Sequence, residues 1–178
     1  MYQSDHTENV KDSIKIAVLS DTHGFLPQSV LALFESSSLD AIVHAGDIGP
    51  EHIIWQLELT APVIVVRGNC DYLPSLRSLP VAVKRKLGNT LLVLTHKPRN
   101  LSLALNKLGR QDLASPFILG IHGHTHVPNL EQRNQGLMIL CPGSPGEPRG
   151  GSKPTIAMVT LAQAESQLPP QIEFIELN

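Results

Sequence analysis

The segment ILGIHGHTHVP, residues 118–128, begins as an apolar run that stops at Gly123 and is followed at once by His124, Thr125 and His126. An apolar run of this kind is typical of a buried strand. In an extended segment, side chains two positions apart point to the same side, so we expect His124 and His126 to face one spot. Neutral imidazoles suit transition-metal ions. The segment therefore predicts a metal site where a strand ends.

Four other apolar runs end in the same way. They are IAVLS before Asp21 and His23, AIVHAG before Asp47, VIVVRG before Asn69, and LLVLT before His96. Open α/β sheets place their sites outside the carboxyl ends of strands, so we expect all of these side chains at one edge. Caps on the following helices are the alternative for the two aspartates, although capping does not account for the histidines.

The number of candidate ligands indicates more than one ion. Carboxylate, imidazole and amide groups together are too many for one tetrahedral zinc. They divide naturally over two ions that share one carboxylate, which is the usual arrangement for in-line displacement at phosphorus.

The order of the elements predicts an α/β fold. Strands at 14–20, 39–45 and 62–66 alternate with helices near 27–34 and 50–59, which indicates parallel pairing. The pattern then changes to hairpins across 88–89 and 134–136, a helix at 100–110, a strand at 117–121, and closing strands at 155–162 and 171–177. Two packed sheets with helices outside fit this order. We expect a single domain over 13–178, preceded by a flexible arm over 1–12.

Composition excludes several classes of protein. A net charge of −2 argues against nucleic-acid binding by bulk charge. No apolar run reaches membrane-spanning length, and we expect no secretory signal, because residues 1–13 are polar. Two cysteines, Cys70 and Cys141, do not form a disulfide framework, which predicts a reduced, cytoplasmic setting. Edge hairpins and an aliphatic surface favour a homodimer.

The motifs resemble those of the calcineurin-like metallophosphoesterases. These motifs are DxH at 21–23, GD at 46–47, GNCD at 68–71, the lone His96 and GHTH at 123–126. Their order and spacing, from residue 14 to about 162, are similar to the small, single-domain YfcE-type phosphodiesterase branch. The resemblance implies a four-layer α/β/β/α sandwich of two mixed sheets with helices outside.

The resemblance also implies a division of ligands between two divalent ions. One ion is expected to bind Asp21, His23, Asp47 and His126, and the other Asp47, Asn69, His96 and His124. Asp47 then bridges the ions, a bridging hydroxide is the nucleophile, and the catalytic residues are Asp47, Asn69 and His124. Manganese is the expected metal, with iron, zinc and nickel as alternatives.

The sequence departs from the family pattern beside the site. Cys70 occupies the position where many larger relatives carry a histidine that assists the leaving group, so good leaving groups should be favoured. Lys97 and Arg99 follow His96 in place of the usual Gly-His and offer positive charge. Cys70 and Arg149 are candidate substrate contacts. A small buried filler and a plain surface arginine are the respective alternatives.

These observations predict a dinuclear, metal-dependent phosphoesterase that hydrolyses a phosphodiester or a small phosphomonoester. Two alternatives remain open. A retromer subunit of similar fold works as a scaffold, so this chain could be an interaction protein with a vestigial metal pocket. A mononuclear zinc hydrolase acting on a carbonyl substrate is the second alternative.

Overall fold

The computed structural model describes residues 13–133 and 136–177. The flexible arm expected over 1–12 and residues 134–135 of the expected hairpin lie outside this range. In chain order the described strands are β1 (Ser13–Leu19), β2 (Ala41–His44), β3 (Val63–Val65), β4 (Ala82–Leu87), β5 (Thr90–Thr95), β6 (Phe117–Ile121), β7 (Asn129–Gln132), β8 (Leu137–Cys141), β9 (Thr155–Ala162) and β10 (Gln171–Glu176). The helices are α1 (Gln28–Ser36), α2 (His52–Glu58), α3 (Pro74–Arg77) and α4 (Pro98–Leu105), with a 3₁₀ turn at Asp112–Ala114.

The strands form two mixed sheets of five strands each. The first sheet has the order β10-β9-β1-β2-β3, and the second has the order β4-β5-β6-β8-β7. Strands β1, β2 and β3 are parallel, as are β5, β6 and β8. The remaining strands pair antiparallel at the sheet edges. The expected fold of two mixed sheets with helices outside is confirmed.

Continuous apolar strands form because both of their faces are buried. In β1, Ile16 and Val18 point into the core between the sheets, whereas Ala17 and Leu19 point into the core under α1, α2 and α3. Strand β5 repeats this pattern, because Leu92 faces the other sheet and neighbouring residues face α4. Three apolar cores therefore separate four layers.

Helix α4 is shorter and earlier than the helix predicted over 100–110. It begins at Pro98, because proline is favoured at the first helical position, where the missing N–H would have no intrahelical partner. It ends at Leu105, with Asn106 as its C-cap. Leu108 lies beyond the helix and still packs on the second sheet beside Leu105, which explains the apolar spacing seen in the sequence.

Within residues 13–133 and 136–177, no helix has the length and apolar character needed to cross a membrane.

Candidate metal centre

The structure brings all seven predicted ligand residues to one edge of the sandwich. They lie in the loops that follow β1, β2, β3, β5 and β6. Because the strands within each of these sets are parallel, their carboxyl ends meet at the same sheet edge. Short distances between side chains from the two sheets show that these edges also face each other.

One set of side chains, called the first ligand group, consists of Asp21, His23 and His126. One ligand atom from each lies within 4.8 Å of the others. The Nε2 atom of His126 is 3.3 Å from Oδ1 of Asp21 and 3.4 Å from Nε2 of His23. The two imidazole rings are stacked, with centroids 5.1 Å apart.

The second ligand group consists of Asp47, His96 and His124, which also lie within 4.8 Å of one another. The Nε2 atom of His96 is 3.3 Å from Oδ2 of Asp47 and 3.2 Å from Oδ1 of Asn69. The rings of His96 and His124 meet edge to face, with centroids 5.2 Å apart. Asn69 therefore borders the second group.

Asp47 lies between the two groups. Its Oδ2 atom is 3.3 Å from His96 Nε2 and 3.8 Å from His23 Nε2, while its Oδ1 atom accepts the Cys70 N–H at 2.7 Å. Burial alone would raise the pKa of Asp47, but the adjacent His96 ring and the hydrogen bond from the Cys70 N–H hold that pKa well below its usual range. The carboxylate is therefore ionised and reaches both groups.

Backbone carbonyls orient two of the histidines. Nδ1 of His96 lies 2.8 Å from the Ala45 carbonyl, and Nδ1 of His126 lies 2.6 Å from the Glu147 carbonyl. A carbonyl can only accept, so each Nδ1 carries a proton and donates it. In a neutral ring this tautomer leaves the Nε2 lone pair pointing into the ligand groups, which is the usual orientation of metal-binding histidines.

The polar atoms of the first group fit a cation. Oδ1 of Asp21 is fully buried and has no hydrogen-bond partner among the described residues. Its neighbour, Nε2 of His126, presents a lone pair when the ring is neutral, and His23 presents another nitrogen beside it. Burial raises the pKa of Asp21, which reflects the cost of a carboxylate there without a compensating charge. A divalent ion would provide that charge.

The loops hold five of these residues in the left-handed backbone region. The φ angles are 55° for Asp21, 46° for His23, 54° for Asp47, 71° for His124 and 59° for His126. Residues other than glycine adopt this region at a cost, and such strain clusters at functional sites. The expectation that His124 and His126 occupy an extended segment and face one spot is therefore wrong. The turn sends them to different ligand groups.

Asp71 is a supporting residue that sequence reasoning missed. Its buried carboxylate accepts four backbone N–H groups, from Gly68 at 2.7 Å, Ile48 at 2.8 Å, Asp47 at 3.1 Å and Gly49 at 3.4 Å. These bonds tie the loop after β2 to the loop after β3. Its position at the end of the GNCD motif was the available signal.

Gly68 permits the close approach of these two loops. A Cβ atom at this position would collide with the amide and Oδ1 of Asp47. Only glycine therefore lets the chain before Asn69 pass directly against the Asp47 carboxylate.

His44 supports the site from the core. The ring is fully buried, and Nδ1 accepts the Gly46 N–H at 3.2 Å while Nε2 lies 3.0 Å from Oγ1 of Thr22. Burial lowers the pKa of His44 to about 3, so the ring is neutral. His122 is also buried, and burial lowers its pKa.

The two candidate substrate contacts have different surroundings. The Cys70 side chain is exposed, and its sulfur accepts a hydrogen bond from Nδ2 of Asn69 at 3.2 Å and lies within 4.8 Å of ligand atoms of His23 and Asp47. The side chain of Arg149 is exposed, and its backbone N–H donates to the His126 carbonyl at 3.3 Å. The structure thus places the Cys70 sulfur beside the ligand groups.

Comparison with protein families gives a match over most of the chain. The model of the calcineurin-like phosphoesterase superfamily domain matches residues 14–164. The chain is 32% identical over 164 residues to a probable metallophosphoesterase of Methanocaldococcus jannaschii, with 87% of this chain and 80% of that protein covered. It is also 32% identical over 171 residues to the phosphodiesterase YfcE of Escherichia coli, with 82% and 87% covered.

Solved structures give the same likeness in three dimensions. The Escherichia coli YfcE structure superposes with a TM-score of 0.64 at 28% identity, covering 93% of this chain and 100% of that chain. The vacuolar protein sorting 29 structure from Cryptosporidium parvum superposes with a TM-score of 0.69 at 17% identity, covering 94% and 99%. At that identity the second likeness shows the fold alone.

Proposed function

The chain belongs to the calcineurin-like phosphoesterase superfamily, and from this premise we propose that it is a phosphodiesterase that uses two divalent metal ions. The relatives named as phosphodiesterase and metallophosphoesterase support hydrolysis of phosphate esters at the level of the family. The substrate class, the two-ion arrangement and the residue roles are our proposals.

The observation that carries the proposal is the position of Asp47 between the two ligand groups. A single carboxylate oxygen lies within 4 Å of a histidine nitrogen of each group. We assign one ion to Asp21, His23, Asp47 and His126, and the other to Asp47, Asn69, His96 and His124. The two groups found in the structure support this division.

Bound there, two ions would activate a water for attack and would neutralise charge on the phosphate. The protein groups fix the geometry. The Asp71 carboxylate, which accepts four backbone N–H groups and is called the Asp71 clamp below, holds the backbone of Asp47. Backbone carbonyls fix the rings of His96 and His126. Because these partners orient the ligands before substrate arrives, little reorganisation remains for the reaction.

Cys70 supports a preference for diesters with good leaving groups. Partial burial of the largely exposed Cys70 side chain and the nearby Asp47 carboxylate raise the pKa of its thiol. The thiol therefore stays protonated and is a weak acid for an alkoxide with a high pKa. We propose manganese as the metal, while iron, zinc and nickel suit the same nitrogen and oxygen ligands.

The scaffold alternative is less well supported. A vestigial pocket should have lost some ligands, whereas all seven predicted ligand residues are present and assembled here. The likeness to vacuolar protein sorting 29 shows only a shared fold. The homodimer and the cytoplasmic setting stay predictions.

Hydrolysis of bis(p-nitrophenyl) phosphate and p-nitrophenyl phosphate, measured with Mn, Fe, Zn, Ni and Mg, tests the proposal. We expect turnover of the diester, and a loss of more than about a hundredfold in Asp47→Asn, because this change weakens a shared ligand. Asp112→Asn is the matched control, since Asp112 forms an exposed ion pair with Lys84 away from the ligand groups. Metal-loaded protein that hydrolyses neither ester would favour the scaffold.

A further inference from the structure

A cleft borders the second ligand group. It has a volume of about 310 Å³ and is lined by Asn69 and His96 together with Arg67, Lys97 and Asn100. Two of the proposed metal ligands thus form part of its wall. The volume is at the low end for ligand sites, which suits one substituent of a substrate better than a large molecule.

The cleft is positively charged. Among the described residues that line it there are two cations, Arg67 and Lys97, and no carboxylate. The Arg67 guanidinium is anchored, because its Nη1 donates to the Arg77 carbonyl at 2.9 Å, which leaves its other donors available. The backbone of Lys97 is fixed at the start of α4, where its carbonyl accepts the Leu101 N–H at 3.1 Å.

The charge of Lys97 lies beside the second ligand group. Lys97 directly follows His96 in the chain, and both residues line the cleft. The first ligand group has the opposite surroundings. There, Oε2 of Glu147 lies 4.0 Å from Nε2 of His23. The two halves of the site therefore differ in charge, and we expect a second anionic group of a substrate to be favoured beside Lys97 rather than beside Glu147.

We propose that this cleft binds a second phosphate group, carried by the retained substituent of the diester, with Lys97 and Arg67 as the residues that determine this specificity. The inference rests on the proposed function. A phosphate monoester carries close to two negative charges at neutral pH, which matches the two cations. Arginine binds phosphate through its planar fork and lysine binds it as a point charge. In an in-line displacement the leaving group departs opposite the attacking water, and we assign the cleft to the substituent that stays.

A matched pair of substrates tests the inference. Thymidine 5′-(p-nitrophenyl phosphate) is compared with the same compound carrying a 3′-phosphate, and both release p-nitrophenol. We expect the 3′-phosphate to raise kcat/KM by about tenfold, mainly through KM, as one partly exposed charge-assisted interaction would. Lys97→Ala should remove this preference, so that the two substrates give equal kcat/KM values.

Arg99→Ala is the matched control. This substitution removes the same charge two residues away from Lys97, and Arg99 does not line the cleft. It should keep the preference. Equal kcat/KM values for the two substrates in the wild type, or a preference that survives in Lys97→Ala, would overturn the inference.

Calorimetric titration separates this inference from the proposed function. Thymidine 3′,5′-bisphosphate should bind the wild-type protein about tenfold more tightly than thymidine 5′-monophosphate, and Lys97→Ala should abolish the difference. If neither ester is hydrolysed, the phosphodiesterase proposal fails, and the titration still decides whether the cleft binds a second phosphate.

Discussion

Replacement of Asp71 by asparagine tests how the site is held in place. The carboxylate accepts two N–H groups on each oxygen, from Ile48 and Gly49 on Oδ1 and from Asp47 and Gly68 on Oδ2. The carboxamide keeps the size of the side chain and one accepting oxygen. Its NH₂ group would face two backbone donors, so half of the clamp is lost.

The magnitude follows from the bonds that disappear. Hydrogen bonds to a charged group contribute about 1.5–3 kcal/mol each, and the variant loses two of them at a buried position. The 3.4 Å bond from Gly49 is long and contributes at the low end. We therefore expect Asp71→Asn to lower the free energy of unfolding by about 3–5 kcal/mol. Metal affinity should fall about 10–100-fold, because Asp71 positions Asp47.

Urea denaturation of the metal-free protein measures the stability change, and calorimetric titration with Mn²⁺ measures the affinity. Asp112→Asn is again the control, and its stability should change little because its ion pair with Lys84 is exposed. If Asp71→Asn were as stable as this control and bound metal as tightly as the wild type, the clamp would have no role.

Three further predictions concern the loops and the core. Gly68→Ala should reduce metal affinity and cost about 1–3 kcal/mol of stability, because the new Cβ would collide with Asp47; wild-type titration curves for this variant would contradict the close packing. Because of His44, the metal-free protein should become less stable as the pH falls from about 6.5 towards 3. In this range the imidazole binds a proton in the unfolded chain, whereas in the folded protein, where its pKa is about 3, it stays neutral. His44→Gln should therefore show a flatter dependence of unfolding free energy on pH than the exposed control His52→Gln. His124→Ala should lose mainly the ion of the second ligand group, and elemental analysis that finds both ions lost equally would argue against our division.

Much of the fold was predictable because several of its central strands are buried on both faces. The apolar runs that form β1 and β5 indicate buried strands, and this indication depends only on local sequence. The rule that sites form at the carboxyl ends of parallel strands then predicted the edge at which the candidate ligand residues meet. Both steps need no knowledge of distant contacts.

The parts that were not predictable depend on contacts between distant segments. From the sequence alone, Asp71 is indistinguishable from any loop aspartate. Its role depends on the loop after β2, whose Ile48 donates to it from 23 residues away along the chain. The left-handed conformations of His124 and His126 likewise depend on packing, since glycine is the residue that a sequence suggests for such angles. The charged cleft requires Arg67 and Lys97 to come together from different sheets.

Metal content per chain is the most direct test of the central claim that Asp47 joins two ion positions. The protein is reconstituted with Mn²⁺, freed of excess metal and measured by elemental analysis alongside Asp47→Asn. We expect two ions per chain in the wild type and a loss of metal from both positions in the variant. A wild-type content of one ion or none, or two ions retained in Asp47→Asn, would contradict this claim.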